Sequence, residues 1–124
     1  MLNNMLVGKT ILVTGASSGI GRAVAFFFST QGARVIISGR STSRLNETLS
    51  ILSGEGHFYV TGDLSKPDEL KVLMDDVFDR AGTIDSIVHC AGIQKTLPLQ
   101  ALKEGDFDDI FSTNVKSAQF IAKY

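Results

Sequence analysis

Short apolar runs alternate with longer segments of helical periodicity along this sequence. The apolar runs predict four strands, at residues 9–13, 34–38, 57–61 and 86–90. The intervening segments predict helices at residues 20–31, 43–53, 67–81 and 104–124. Strands that alternate with helices are typical of βαβ units, and they favour a parallel sheet with helices on both faces.

The spacing of apolar residues also predicts which face of each helix is buried. In the second helix the predicted buried residues are Leu45, Leu49 and Leu52. In the third they are Leu70, Leu73, Val77 and Phe78, and Ser65-x-x-Asp68 resembles a capping box at its start. In the last helix they are Phe107, Phe111, Ala118, Ile121 and Ala122, with Asn114 on the same stripe.

Right-handed crossover connections would place these strands in the order 3-2-1-4. The sequence therefore predicts an α/β fold with a Rossmann-like, doubly wound parallel sheet, here truncated. In such sheets ligands bind beyond the carboxyl ends of the strands, at the point where the strand order reverses. That point lies between the first and fourth strands, where residues 15–21 and Ala91-Gly92 are expected to meet.

A glycine-rich turn between the first strand and the first helix carries the strongest chemical signal. It reads Thr14-Gly15-Ala16-Ser17-Ser18-Gly19-Ile20-Gly21. Glycine allows positive φ and a close approach of ligand to backbone, and a helix start presents unpaired N–H groups at the positive end of the helix dipole. The pattern predicts a cradle for a pyrophosphate. Ser17 and Ser18 can donate hydroxyl hydrogen bonds to phosphate, cap the helix, or do both.

The spacing Thr-Gly-x3-Gly-x-Gly resembles that of the short-chain dehydrogenase/reductase family, in its short single-domain branch. Four further features occur in the family's order: Arg40, Asp63-Leu64, Ala91-Gly92 and Asn114-Val115. The resemblance covers essentially all 124 residues, as the N-terminal, dinucleotide-binding half of one domain. It implies cofactor-binding roles for Gly15, Ser17, Ser18, Gly19, Ile20, Gly21, Ser38, Arg40, Asp63, Leu64, Ala91 and Gly92.

Arg40 bears on the choice of cofactor. NAD-binding domains carry an acidic residue near this position to hold the ribose 2′-hydroxyl, and none is present here. A guanidinium suits a 2′-phosphate, with Ser38 or Ser41 as a helper, so we expect NADP rather than NAD. The alternative is a solvated loop arginine.

The resemblance assigns Asp63 to the adenine amino group; otherwise Asp63 only turns the loop before Ser65. His89-Cys90 stands where the family usually has Asn-Asn. This difference puts side-chain contacts in doubt, although Ala91 and Gly92 retain the backbone path. We expect His89 to pack or hydrogen-bond at the strand end. With two histidines and one cysteine in the sequence, we expect no metal site.

Asn114 is the candidate catalytic residue. A buried amide needs hydrogen-bond partners, and the resemblance implies a helix irregularity here whose backbone carbonyl holds a water in a proton relay. The alternative is a core amide bonded to neighbouring backbone.

The family's catalytic Tyr-x3-Lys does not occur in this sequence: Tyr59 is followed four positions later by Asp63, and Tyr124 is the last residue. We therefore expect part of an NADP-dependent oxidoreductase acting on a carbonyl or alcohol substrate, with the 124-residue chain inactive alone. A 3-oxoacyl-thioester reductase and a sugar or small-alcohol dehydrogenase are equally open. The alternative is a non-catalytic nucleotide-binding module that regulates a partner.

Composition limits the kinds of partner and the cellular compartment that we expect for this chain. A net charge of −1 gives no basic field for nucleic acid, and no apolar run approaches a membrane span. Cys90 is the one cysteine, which fits a reducing cytoplasm. We expect a homo-oligomer, and we expect the isolated chain to be marginal or prone to associate because it would expose a sheet edge.

Overall fold

The computed structural model describes residues 5–92, 101, 103–116 and 121–122. Its strands are β1 (Thr10–Thr14), β2 (Arg34–Gly39), β3 (Phe58–Thr61) and β4 (Ser86–His89). Its helices are α1 (Gly19–Thr30), α2 (Thr42–Ile51), α3 (Pro67–Ala81) and α4 (Glu104–Phe111), and a π-helical segment, Ser112–Lys116, follows α4. Elements β1 to β4 and α1 to α3 therefore begin and end within two residues of the predicted bounds.

All strand pairs are parallel, in the order β3-β2-β1-β4. Val13 of β1 is in register with Ile37 of β2 on one side and with Val88 of β4 on the other. The predicted strand order is confirmed. All four carboxyl ends consequently lie along one edge of the sheet.

The sheet is buried on both faces because its central strands carry consecutive apolar residues, whose side chains point to opposite faces in turn. Leu12 and Ile36 pack against α3 on one face, with Ile121 in the same cluster. Val13 and Ile37 pack on the other face against α1 and α2. Each fully buried side chain of this size stabilises the fold by about 1.5–3 kcal/mol.

Two expectations for α3 are wrong. Phe78 is 38% exposed, and Met74, at 1%, takes the predicted place in the core. A residue one position beyond Val77 is rotated by about 100°, which takes Phe78 to the margin of the buried stripe. Ser65 does not cap α3: the cap residue is Lys66, and the Ser65 hydroxyl donates to Asp63 instead.

The predicted last helix is interrupted. The α-helix ends at Phe111 and continues as the π-helical segment, whose wider turns shift the following residues around the axis. Phe111 is 47% exposed, Ala122 is exposed, and Ile121 is 3% exposed, so the predicted continuous stripe is wrong. Ala118 and the Phe107 side chain lie outside the described residues.

Candidate functional site

A cavity of about 370 Å³ lies at the carboxyl ends of all four strands. Its volume falls within the usual range for small-molecule sites. Each strand supplies a glycine to its lining, at its last residue or within three residues after it: Gly15, Gly39, Gly62 and Gly92. The other lining residues are Ser17, Ser18, Ile20, Gly21, Arg40, Arg44, Asp63, Leu64, Cys90 and Ala91.

The glycine-rich loop closes against the end of β4. Gly15 has a φ of +64°, and a Cβ on it would lie 2.6 Å from the Ala91 backbone. A Cβ on Gly21 would overlap the Gly15 carbonyl oxygen. Both positions therefore require glycine for the loop to turn this tightly. The structure thus brings the two predicted motifs, 15–21 and Ala91-Gly92, to one place.

The loop leads into the N-terminus of α1 at Gly19, which has a φ of +58°. Ser18 is the cap residue, but its side chain makes no capping hydrogen bond, so the proposed capping role is not observed. Ser17, Ser18 and Ile20 line the cavity, and Ile20 is 77% exposed. Gly19 is not among the lining residues, and a Cβ there would meet nothing within 4 Å.

Two arginines line the cavity beyond the end of β2. Arg40 was expected from the sequence, whereas Arg44, in the first turn of α2, was missed. A basic residue in a first helical turn opposes the helix dipole, and that conflict is a signal that could have identified Arg44.

The serines near β2 differ from expectation in their positions. Ser38 is fully buried, lies outside the cavity lining, and has a hydroxyl without a hydrogen-bond partner among the described residues. Ser41 caps α2, because its Oγ accepts a 3.4 Å hydrogen bond from the Arg44 N–H. The structure therefore does not bring Ser38 to the cavity.

Asp63 both lines the cavity and turns its own loop. Its Oδ1 accepts hydrogen bonds from the Ser65 hydroxyl at 2.6 Å and the Ser65 N–H at 3.0 Å. Burial acts to raise the pKa of Asp63, but the Ser65 hydrogen bonds and the charges of Arg40 and Lys66 outweigh it and lower the pKa. The carboxylate is thus held ionised. Leu64 lines the same wall and is 7% exposed.

The buried hydroxyl of Thr14 holds the end of β4. Its Oγ1 accepts from the N–H groups of Cys90 at 3.1 Å and Ala91 at 3.3 Å, and it lies 2.7 Å from His89 Nδ1. With both lone pairs occupied, the hydroxyl donates to Nδ1, which assigns the neutral ring with its proton on Nε2. Burial also lowers the pKa of His89. The expected hydrogen-bonding role of His89 is confirmed.

Asn114 lies in the π-helical segment and is not among the residues that line the cavity. A Cβ on Gly92 would be 3.3 Å from the Asn114 side-chain oxygen, so the amide adjoins the last strand's glycine. The π-helical segment is the helix irregularity that the family resemblance implies at this residue.

Nearly the whole chain matches the model of one known protein family. The profile described as "short chain dehydrogenase" matches residues 9–123. The chain belongs to the short-chain dehydrogenase family.

Relatives of this chain differ in their named activities. A glucose 1-dehydrogenase of Gluconobacter oxydans is 40% identical over 111 residues, which are 87% of this chain and 42% of the relative. A 3-oxoacyl-[acyl-carrier-protein] reductase of Staphylococcus epidermidis is 33% identical, over 89% of this chain and 46% of the relative. The chain thus spans less than half the length of these two relatives.

A solved structure of the family supports the fold. A short chain dehydrogenase from Burkholderia cenocepacia, in complex with NADP, superposes with a TM-score of 0.92 at 30% identity. The match covers 97% of this chain and 50% of the other.

Metal-ligand clusters and membrane-spanning helices are both absent from residues 5–92, 101, 103–116 and 121–122. Within them no group of three His, Cys, Asp or Glu residues could hold a metal ion. No described helix is long and apolar enough to cross a membrane.

Proposed function

We propose that this chain forms the NADP(H)-binding part of an oxidoreductase that transfers hydride between the cofactor and a carbonyl or alcohol substrate. The observation that carries the proposal is the cavity itself, which five glycines and the start of α1 line at the carboxyl ends of the strands. Backbone without Cβ atoms allows a pyrophosphate to approach N–H groups closely. The residues present therefore fit a dinucleotide.

Two arginines favour NADP over NAD in this proposal. Arg40 and Arg44 both line the cavity beyond β2, and residues 38–46 contain no carboxylate. A ribose 2′-phosphate would gain charge-assisted hydrogen bonds from guanidinium groups, whereas a 2′-hydroxyl would lack the usual acidic acceptor. The complex of the Burkholderia relative with NADP agrees with this choice.

When bound, the cofactor supplies the hydride. The residues of this chain bind and orient the cofactor. In the proposal, Asp63 accepts a hydrogen bond from the adenine amino group. The carboxylate lone pairs that are not bonded to Ser65 serve as the acceptor. Asn114, next to Gly92, supports a proton path near the substrate. The sequence contains no Tyr-x3-Lys, so we expect no turnover by these 124 residues alone.

The substrate class is proposed only as carbonyl or alcohol. Named relatives act on a sugar in one case and, in the other, on a 3-oxoacyl group carried by a protein. We also expect a cytoplasmic homo-oligomer. Exposed Ile87 on β4, a strand that pairs only with β1 among the described residues, favours association.

Fluorescence titration with NADPH and NADH tests the cofactor proposal. We expect the 124-residue chain to bind NADPH at least about tenfold more tightly than NADH, because a charged hydrogen bond contributes roughly 1.5–3 kcal/mol. Equal binding would contradict the assignment to NADP. Binding of neither would contradict the cofactor site, and turnover with any ketone, sugar or oxoacyl thioester would contradict the inactive chain.

The second candidate is a nucleotide-binding regulatory module, for which the parallel sheet and the glycine-lined cavity would suffice. It predicts a stable 124-residue monomer with one cooperative thermal transition. Light scattering and calorimetry on the chain distinguish it from a part of an enzyme that associates through exposed surface.

A further inference from the structure

Two side chains that do not line the cavity, Arg22 of α1 and Thr48 of α2, hydrogen-bond to the backbone of the glycine-rich loop. Arg22 Nη2 donates to the Ser17 carbonyl oxygen at 2.6 Å. The Thr48 hydroxyl donates to the Ala16 carbonyl oxygen at 2.8 Å. The two side chains are also joined, since Arg22 Nε donates to Thr48 Oγ1 at 2.9 Å. The loop thus has two consecutive carbonyl groups bonded to one linked pair of side chains, of which Thr48 is fully buried and Arg22 is partly exposed.

The direction of these carbonyl groups matters because peptide units are planar and trans. In a trans unit the carbonyl oxygen and the following N–H point in opposite directions. The Ala16 carbonyl shares its unit with the Ser17 N–H, and the Ser17 carbonyl shares its unit with the Ser18 N–H. Ser17 and Ser18 both line the cavity. Bonding the Ala16 carbonyl to Thr48 of α2 and the Ser17 carbonyl to Arg22 of α1 therefore sets the orientation of two N–H donors beside the proposed pyrophosphate position.

Arg22 does not act as a cavity residue itself. It is absent from the lining, and its Nη2 also contacts the Arg44 carbonyl oxygen and Glu47 Oε2, each at 3.2 Å. Thr48 is fully buried, so its hydroxyl cannot exchange the Ala16 carbonyl for water. The same contacts join the loop to the helix that presents Arg44.

We propose that Arg22 and Thr48 are positioning residues that orient the Ser17 and Ser18 N–H groups for the cofactor pyrophosphate. The inference rests on the proposed NADP(H) function. It assigns the Arg22 charge to backbone carbonyls rather than to phosphate. The geometry of its guanidinium, not the charge alone, is what the loop requires, because one Arg22 contacts a side chain, two carbonyls and a carboxylate at once.

The test uses the 124-residue chain with Thr48→Val, which keeps the shape of the side chain and removes its hydroxyl. Thr48→Ser keeps the hydroxyl. Ser50→Ala is the matched control, since it removes a hydroxyl-to-carbonyl bond on the same helix that does not reach the loop. Two ligands are titrated: NADPH, and adenosine 2′-phosphate, which has no pyrophosphate. Amide hydrogen exchange of Ser17 and Ser18 is measured without ligand.

We expect Thr48→Val to bind NADPH about tenfold more weakly, because the hydrogen bonds of the hydroxyl to the Ala16 carbonyl and from Arg22 Nε are lost. It should bind adenosine 2′-phosphate within about twofold of the unaltered chain. Exchange at Ser17 and Ser18 should accelerate, whereas Thr48→Ser and Ser50→Ala should behave as the unaltered chain. Equal losses for both ligands, or unchanged exchange, would overturn the proposal.

Arg22→Lys provides a second variant if Thr48→Val does not fold. It keeps the charge and removes the planar fork. Weakened NADPH binding with faster exchange at Ser18 supports positioning, and full binding would overturn it in favour of a simple charge effect. If the unaltered chain binds no NADPH, the proposed function fails, while hydrogen exchange still decides whether this pair orients the loop.

Discussion

The two sides of the cavity are built differently. On one side, β1 and β2 are almost wholly buried, and the loop between β1 and α1 is held by hydrogen bonds from Thr48 and Arg22. On the other, β4 exposes Ser86 and Ile87 and is held chiefly by its pairing with β1 and by the Thr14 hydroxyl. Among the described residues, the proposed phosphate side is thus buried and internally hydrogen-bonded, whereas the β4 side leaves half of its strand exposed.

Gly15→Ala should have the largest effect, because it breaks the contact between the two sides. The new Cβ would meet the Ala91 backbone at 2.6 Å, and the φ of +64° disfavours alanine. We expect urea denaturation to show a loss of about 2–4 kcal/mol in the free energy of unfolding. We expect fluorescence titration to show no measurable NADPH binding. Gly105→Ala in α4, where a Cβ meets nothing, is the control. Wild-type binding by Gly15→Ala would contradict the close approach.

Truncation of one apolar strand residue on each side tests the difference directly. Leu12→Ala, at a fully buried position of β1, should cost about 2–5 kcal/mol in unfolding free energy. Ile87→Ala, on β4 and 36% exposed, should cost less than half as much, because less of its surface leaves water on folding. Both are measured by urea denaturation. Equal costs would show that β4 is supported as firmly as β1.

Arg40→Ser should alter cofactor choice without altering the fold. We expect NADPH binding to weaken about tenfold or more and NADH binding to change little, since a charged hydrogen bond contributes roughly 1.5–3 kcal/mol. Competition titrations with both cofactors provide the measurement. Lys71→Ser, on α3 outside the cavity lining, controls for the lost positive charge. A parallel loss for both cofactors would contradict contact with the 2′-phosphate.

The smallest expected effect is a pH dependence on the β4 side. Burial lowers the pKa of His89 below its ordinary value of 6.5, so the unfolded chain binds this proton more readily. The neutral ring therefore contributes stability above about pH 6.5, and that contribution is lost as the pH falls through the lowered folded pKa. His89→Asn should flatten this part of the stability profile in urea denaturation between pH 8 and 5. An unchanged slope would contradict the neutral His89–Thr14 hydrogen bond.

The strand order and the element bounds were predictable because they depend on local patterns. Alternating apolar runs identified β1 to β4, and the glycine spacing located the loop before α1. Depth of burial was less predictable. Periodicity places Phe78 and Val77 about 100° apart, but only the packed helix shows which of Phe78 and Met74 enters the core.

The candidate site likewise contains residues that the sequence predicts and residues that only the packed structure identifies. Arg40, Asp63 and Gly92 line the cavity as expected, because each follows the carboxyl end of a strand. Arg44 and the burial of Ser38 depend on how α2 and β2 sit against the rest of the fold.

By itself, the sequence determined the family, the parallel sheet and the glycine-rich loop, since these follow from short-range spacing and backbone preference. Only the tertiary structure decided which groups hold that loop in place. Arg22 and Thr48 are 26 residues apart, and Thr14 and His89 are 75 apart. Hydrogen bonds over such separations arise after the sheet and helices have packed, and no local pattern specifies them.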